Sequence, residues 1–181
     1  YGWGHLRIND RLLPIEIVTG DQSAALFAFG ATDAQTVYAN LGTGAFLQRS
    51  AGDRDIDPHK LLASVVYRDE SSAIQVIEAT VNGAGSAINA LAAELGLNKA
   101  ALRENSAGWL DAYAGEPLFL NAVSGLGSPW WLADQPSSFS DDSPATDANK
   151  LAAVMESIAF LLAVNLEQMT TLLGEPARIL V

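Results

Sequence analysis

Thr36-Val-Tyr-Ala-Asn40-Leu-Gly-Thr-Gly44-Ala-Phe-Leu-Gln48 contains two short β-prone runs, 36–39 and 45–48. They flank Asn40-Leu41-Gly42-Thr43-Gly44, and two strands joined by a Gly-x-Gly turn read as a hairpin. Glycines let a backbone approach a ligand closely, and exposed amides with a threonine hydroxyl can hold phosphate oxygens. An ordinary hairpin turn has the same composition, so the turn alone leaves both readings open.

The pattern extends outward on both sides. Downstream, residues 61–67 and 74–78 predict a second hairpin around a charged turn at 68–72. Ala84, Ile88, Leu91 and Leu95 follow helical spacing, and Gly96 ends that helix. A shorter helix is expected from Asn98, as N-cap, to about 106, then a strand at 118–121. Residues 134–146, rich in Ser, Asp and Pro, read as a surface loop. A long helix is expected over 148–173, capped by Asp147 and ended by Gly174 and Pro176. Residues 178–181 begin another strand. Upstream, 12–18 is β-leaning, Thr19-Gly20 is a turn, 23–29 is helical and Gly30 stops it. Hairpins followed by helices and a further strand predict an α/β domain with a mixed sheet and flanking helices.

The 181 residues suffice for one domain with a substantial core, and 49% hydrophobic against 17% charged residues excludes a disordered chain. The longest uninterrupted apolar run is 158–164, well short of the ~20 residues of a membrane span. A net charge of −11 argues against nucleic acid and against an anionic membrane surface as partners. It does not argue against ATP, since amides and Mg²⁺ can bind phosphate locally. The chain has no cysteine, which removes disulfides, thiolate catalysis and cysteine-based zinc sites. With no signal pattern, a cytoplasmic protein is expected. The first residue is Tyr1, and 178–181 reads as a strand cut short, so a piece of a larger protein is expected.

Several segments could carry chemistry. In Gly20-Asp21-Gln22 an acid stands where a strand gives way to a helix. Such a carboxylate can act as general base on a hydroxyl, kept ionised by the helix dipole, or it can simply cap the helix. Gly83-Ala84-Gly85 opens a helix, where a nucleotide phosphate or sugar could be accepted, with Asn89 one turn on along the same face. Packing that demands small residues explains the glycines equally well. Gly125-Leu-Gly127-Ser-Pro129-Trp-Trp131 could wall a sugar pocket or plug an interface or core. His5 and His59 have no triad or metal spacing and read as surface residues. Asp53, Asp55 and Asp57 alternate like a calcium loop, but the required Gly and distal Glu are missing, so no metal site is expected.

The order and spacing of these strings are more specific than any one of them. Thr19-Gly20-Asp21-Gln22-Ser23-Ala24-Ala25-Leu26, Asn40-Leu41-Gly42-Thr43-Gly44-Ala45-Phe46, Glu78-Ala79-Thr80-Val81 leading to Gly85, the Gly125–Trp131 string, and Met155-Glu156-Ser157-Ile158-Ala159-Phe160 together resemble the C-terminal domain of FGGY carbohydrate kinases. The resemblance covers nearly the whole chain. Gly-Asp-Gln, Gly-Thr-Gly-x-Phe and Gly-Leu-Gly-x-Pro-x-Trp are most similar to the glycerol kinase branch.

The resemblance implies an actin-like, ribonuclease-H-like ATPase domain that works with a second domain across a cleft. By it, residues 1–181 are the C-terminal domain of a sugar or polyol kinase, with the N-terminal domain as the partner and a homo-oligomer compatible. ATP and Mg²⁺ are the implied cofactors. Asp21 matches the general base, Gln22 and Phe46 match residues at the polyol, and Thr43, between Gly42 and Gly44, matches the contact to the ATP phosphates. Gly85 matches a glycine at the nucleotide. Asn89 stands where the glycerol branch usually has glutamine. A Ser-Gly-Gly adenine turn normally follows the position of Val181 and does not occur within the chain. An actin-like nucleotide-binding or assembly module without kinase activity is the alternative, from which Asp21, Gln22 and Phe46 together would set a kinase apart.

Overall fold

The computed structural model describes residues 3–16, 18–140 and 145–181. β1 (His5–Ile8) and β2 (Arg11–Pro14) form a separate antiparallel hairpin. The β-leaning run at 12–18 is therefore the second arm of a hairpin, its residue 17 lying outside the described residues. α1 (Asp21–Ala25) is one turn of helix, followed by tight turns rather than by the longer helix expected over 23–29. β3 (Thr36–Leu41) and β4 (Ala45–Gly52) are the expected hairpin, each longer than predicted. β5 (Leu62–Arg68) and β6 (Ala73–Val81) form the second hairpin. α2 (Gly85–Glu94) and α3 (Lys99–Ala112) follow, and Asn98 caps α3 by accepting from the Ala101 amide at 2.9 Å. β7 (Phe119–Leu120) pairs with β8 (Ser138–Phe139), which falls within the segment read as a loop. Residues 141–144 of that segment lie outside the described residues.

α4 (Asp147–Leu173) is capped one residue earlier than expected. The Thr146 hydroxyl, not Asp147, accepts from the Asn149 amide at 3.2 Å. β9 (Arg178–Leu180) then runs parallel to β3, and the main sheet has the order β5-β6-β4-β3-β9. Pairing is antiparallel except at β3–β9.

Side chains alternate across strands, so the register divides the core in two. Val37, Leu47, Ala51, Ile77 and Ala79 face α4, where Met169 fills the centre. Tyr38 and Val76 face the other way and are covered by Leu26, just after α1. Although α4 is long and apolar enough to cross a bilayer, Leu151, Val154 and Met169 are buried in the domain's own packing.

Two polar devices fix this arrangement. Arg49, 0% exposed, projects from β4 beneath the end of α4. Its Nη1 donates to the Gly174 carbonyl at 2.6 Å, its Nη2 to the Leu173 and Glu175 carbonyls at 3.4 Å, and its Nε to the Ala34 carbonyl at 2.7 Å. A helix leaves its last carbonyls without intrahelical donors and carries negative charge there, so a buried guanidinium meets both needs. The second device joins β9 to β3. Arg178 Nε donates to the Thr36 hydroxyl at 2.7 Å and Nη2 to Asp33 Oδ2 at 3.1 Å, while Thr36 Oγ1 donates to Asp33 Oδ2 at 2.9 Å.

The Gly125–Trp131 string is a plug. β6 runs past the last β5 pair, Leu62–Glu78, leaving the Thr80 main chain available on that side. Ser128 fills the position: its amide donates to the Thr80 carbonyl at 3.1 Å and its hydroxyl accepts from the Thr80 amide at 2.7 Å. Asn165 of α4 donates to the Ser128 carbonyl at 3.0 Å. A Cβ on Gly127 would overlap the Thr80 carbonyl oxygen, so only glycine permits the approach.

Arg49→Met should lower the domain's stability by roughly 1–3 kcal/mol, because it leaves part-buried carbonyls without donors. A fall in the urea midpoint checks this, and an unchanged midpoint would contradict it. At Asp33, burial raises the carboxyl's pKa, but bonds from Thr36, the Gln35 amide and Arg178 outweigh burial and hold it below the ordinary 3.8. The stabilisation is therefore fully present above that value and is lost as pH falls through the lowered pKa. Melting curves of wild type and Asp33→Asn should differ at neutral pH and converge below pH 3.8, whereas a constant gap would refute the assignment.

Candidate active site

The hairpin turn and the start of α2 are built against each other. The Ala84 amide donates to the Thr43 carbonyl at 3.1 Å, the Gly85 amide to the Gly42 carbonyl at 2.9 Å, and the Ser86 amide to the Thr43 carbonyl at 2.9 Å. The Ser86 hydroxyl adds a fourth bond, to the same Thr43 oxygen, at 2.9 Å. A helix start leaves its first amides without intrahelical partners, and here the turn's carbonyls satisfy them. The three amides are thus committed inside the protein. This part of the expectation changes: the α2 start supports the turn instead of presenting its first amides to a phosphate.

The geometry also explains the glycines. A Cβ on Gly85 would sit 2.6 Å from the Gly42 carbonyl oxygen, and one on Gly44 would sit 3.0 Å from the Val81 carbonyl oxygen. Gly83 is pressed as tightly, 2.7 Å from Asn121 Oδ1, and Asn121 donates to the Gly83 carbonyl at 2.7 Å. Asn82 donates to the Ser124 and Gly125 carbonyls, both at 3.1 Å. The loop after β7 therefore clamps the chain that enters α2. Thr43 itself is exposed, and among the described residues its hydroxyl makes no hydrogen bond.

Phe46 lies beside this turn. Its ring comes within 3.8 Å of where a Gly44 side chain would begin. Phe46 pairs with Asn40 two residues along from the Gln48–Tyr38 pair, so it shares the sheet face that Leu26 covers. Asn89 is exposed one turn further along α2.

Asp21 and Gln22 form a separate group. The N-cap of α1 is Gly20, with no side-chain bond, so Asp21 is not the cap but the first helical residue. Asp21 is exposed, and its Oδ1 accepts from the Gln22 amide at 2.8 Å. Gln22 is half-buried. One turn of helix is too short to carry the macrodipole of a full helix. The structure thus brings Gly42, Thr43, Gly44, Phe46 and Gly85 into one cluster. It sets Asp21 and Gln22 on the segment leading to Leu26, and among the described residues no hydrogen bond joins them to the turn. Ser86, Asn82 and Asn121 carry the supporting bonds and were not singled out from sequence. A hydroxyl in the first turn of α2 was the one local signal for Ser86.

The ensemble can be compared with known proteins. The fold superposes on Plasmodium falciparum glycerol kinase with ADP at a TM-score of 0.79, with 22% identity over 97% of this chain and 36% of that one. It superposes on xylulose kinase from Lactobacillus acidophilus at a TM-score of 0.71, with 20% identity over 95% of this chain and 34% of that one. The domain has the actin-like, mixed α/β fold. In sequence it is 32% identical to glycerol kinase of Aquifex aeolicus over 182 residues, covering 99% of this chain and 37% of the relative. It is also 32% identical to glycerol kinase of Gloeobacter violaceus over 157 residues, covering 86% of this chain and 32% of the relative. The chain thus spans about a third of the length of these relatives. These similarities do not favour the assembly-module reading. Residues 37–181 match the C-terminal domain of the FGGY family of carbohydrate kinases, and the chain belongs to that family.

Proposed function

We propose that residues 1–181 are the C-terminal domain of an ATP-dependent sugar or polyol kinase whose other domain completes the cleft. The observation that carries this reading is the buttressed turn. Four hydrogen bonds fix its carbonyls inward against α2, while Thr43 is exposed and, among the described residues, its hydroxyl carries no internal bond. Phosphoryl transfer depends chiefly on positioning and charge stabilisation, and a rigid turn with an outward hydroxyl suits a nucleotide phosphate.

In this reading Thr43, between Gly42 and Gly44, holds ATP phosphate oxygens, and Gly85 keeps α2 close enough to support the turn. Asn89 lies further along the nucleotide. Asp21 accepts the proton of the acceptor hydroxyl as its oxygen attacks the γ-phosphorus. The bond to the β–γ bridging oxygen breaks and ADP leaves. Gln22 and Phe46 help hold the polyol. Mg²⁺ commonly rides on nucleotide phosphates with one or two protein carboxylates. Among the described residues no three His, Asp or Glu side chains are gathered, so the chain fits an ion brought by ATP better than one in a dedicated cage.

In the full-length protein, Asp21→Asn should lower kcat by about 10²–10⁴-fold with the fold intact, as expected for loss of a general base. A variant close to the wild-type rate would remove Asp21 from that role. The 181-residue chain alone should transfer no phosphate from ATP to glycerol or to a ketose. Turnover by it in a coupled ADP-release assay would show that the second domain is dispensable.

A further inference from the structure

We propose that Ser86 is a positioning residue of the nucleotide-phosphate site, its hydroxyl fixing the Thr43 peptide so that the Thr43 side chain faces the phosphates. The inference rests on the reading of Thr43 given above and extends it to a residue that touches no substrate. The Thr43 carbonyl accepts from three donors: the Ala84 amide at 3.1 Å, the Ser86 amide at 2.9 Å and the Ser86 hydroxyl at 2.9 Å. Two of these belong to the main chain and would survive any side chain that allows α2 to start here. The third comes from a side chain, and only a hydroxyl-bearing residue at 86 can make it.

A hairpin tip between two glycines has little steric restraint of its own, so its peptide planes can rotate unless bonded. Gly42 and Gly44 flank Thr43 on both sides; beside the bond from the Gly42 amide to the Gly44 carbonyl at 2.8 Å, the bonds to the Thr43 carbonyl restrain the plane between Thr43 and Gly44. Fixing that carbonyl toward α2 fixes the Gly44 amide in the opposite sense, because the peptide unit is planar and trans. Ser86 therefore acts on the orientation of the turn's outward donors. Its loss should appear in nucleotide affinity and not in acceptor affinity. Pre-set donors cost less ordering on binding, so a looser turn binds phosphate more weakly.

The test is calorimetric titration of the full-length protein with MgADP, for wild type, Ser86→Ala, Thr43→Ala and the double variant, with melting temperatures recorded without ligand. Ser86→Ala should weaken MgADP binding roughly three- to tenfold, the scale of one hydrogen bond. The KM for the acceptor should stay unchanged. Because Ser86 acts on the Thr43 peptide that carries both the Thr43 side chain and the Gly44 amide, the double variant should lose less than the sum of the two single losses. A Ser86→Ala protein that melts lower but binds MgADP as wild type does would overturn the inference and leave a structural role only. Fully additive losses would also overturn it. If Thr43→Ala itself binds MgADP normally, the phosphate role of Thr43 fails and this inference fails with it. Normal loss at Thr43 with no loss at Ser86 would sink the inference alone.

Discussion

Three main-chain amides at the start of a helix need acceptors, and the carbonyls of a two-glycine hairpin turn supply them. That exchange between Gly42–Thr43 and Ala84–Ser86 joins the hairpin turn to α2. It satisfies the orphan donors of α2, which would otherwise need water, a side-chain cap or a ligand. It also anchors the tip of the β3–β4 hairpin to α2. The glycines follow from the same contact. At Gly85 a single methyl group would collide with the Gly42 oxygen, and at Gly83 it would collide with Asn121.

The sheet behind the turn is held by apolar and by polar means. One face is covered by α4 through Met169 and the strand residues Val37, Leu47 and Ile77, which is ordinary apolar burial. At the end of that helix the work passes to Arg49, whose guanidinium gathers the carbonyls of Leu173, Gly174 and Glu175. A buried cation without partners would be strongly unfavourable, so the same bonds that seat α4 also make Arg49 tolerable. Ser128 and Asn165 repeat the theme on the β6 side, where a loop completes hydrogen bonding that β5 leaves open. The turn therefore projects from a frame pinned by polar contacts at Arg49, Ser128 and Asn165.

Much of this was legible in the sequence, and the parts that were not have physical causes. Both hairpins of the main sheet, α2, α4 and β9 followed from alternation, helical spacing and glycine stops. α1 proved shorter than expected because Ala-rich composition over 23–29 signals helix, while the chain turns after Ala25 to seat Leu26 on Tyr38 and Val76. β1 and β8 were missed because each is a short strand that pairs with another short strand. The cap of α4 moved from Asp147 to Thr146, a one-residue choice that composition cannot make when both residues can cap. At the site, the residues proposed to carry chemistry were nominated by motif order. The supports, Ser86, Asn82 and Asn121, were not, because their meaning lies in contacts across 38 to 43 residues of chain. The Gly125–Trp131 string left a sugar wall and a plug both open from sequence; the structure buries Ser128 and bonds it to β6, while Trp130 and Trp131 stay exposed.

The central claim is that the turn faces inward with its carbonyls and outward with Thr43, toward the phosphates of a nucleotide. Residue-resolved amide hydrogen exchange of the full-length protein, with and without MgADP, tests it most directly. The amides of Ala84, Gly85 and Ser86 should be protected in both states, while those of Thr43 and Gly44 should exchange readily until nucleotide is added and slowly afterwards. Unprotected amides at the start of α2, or exchange at Thr43 and Gly44 that nucleotide leaves unchanged, would contradict it.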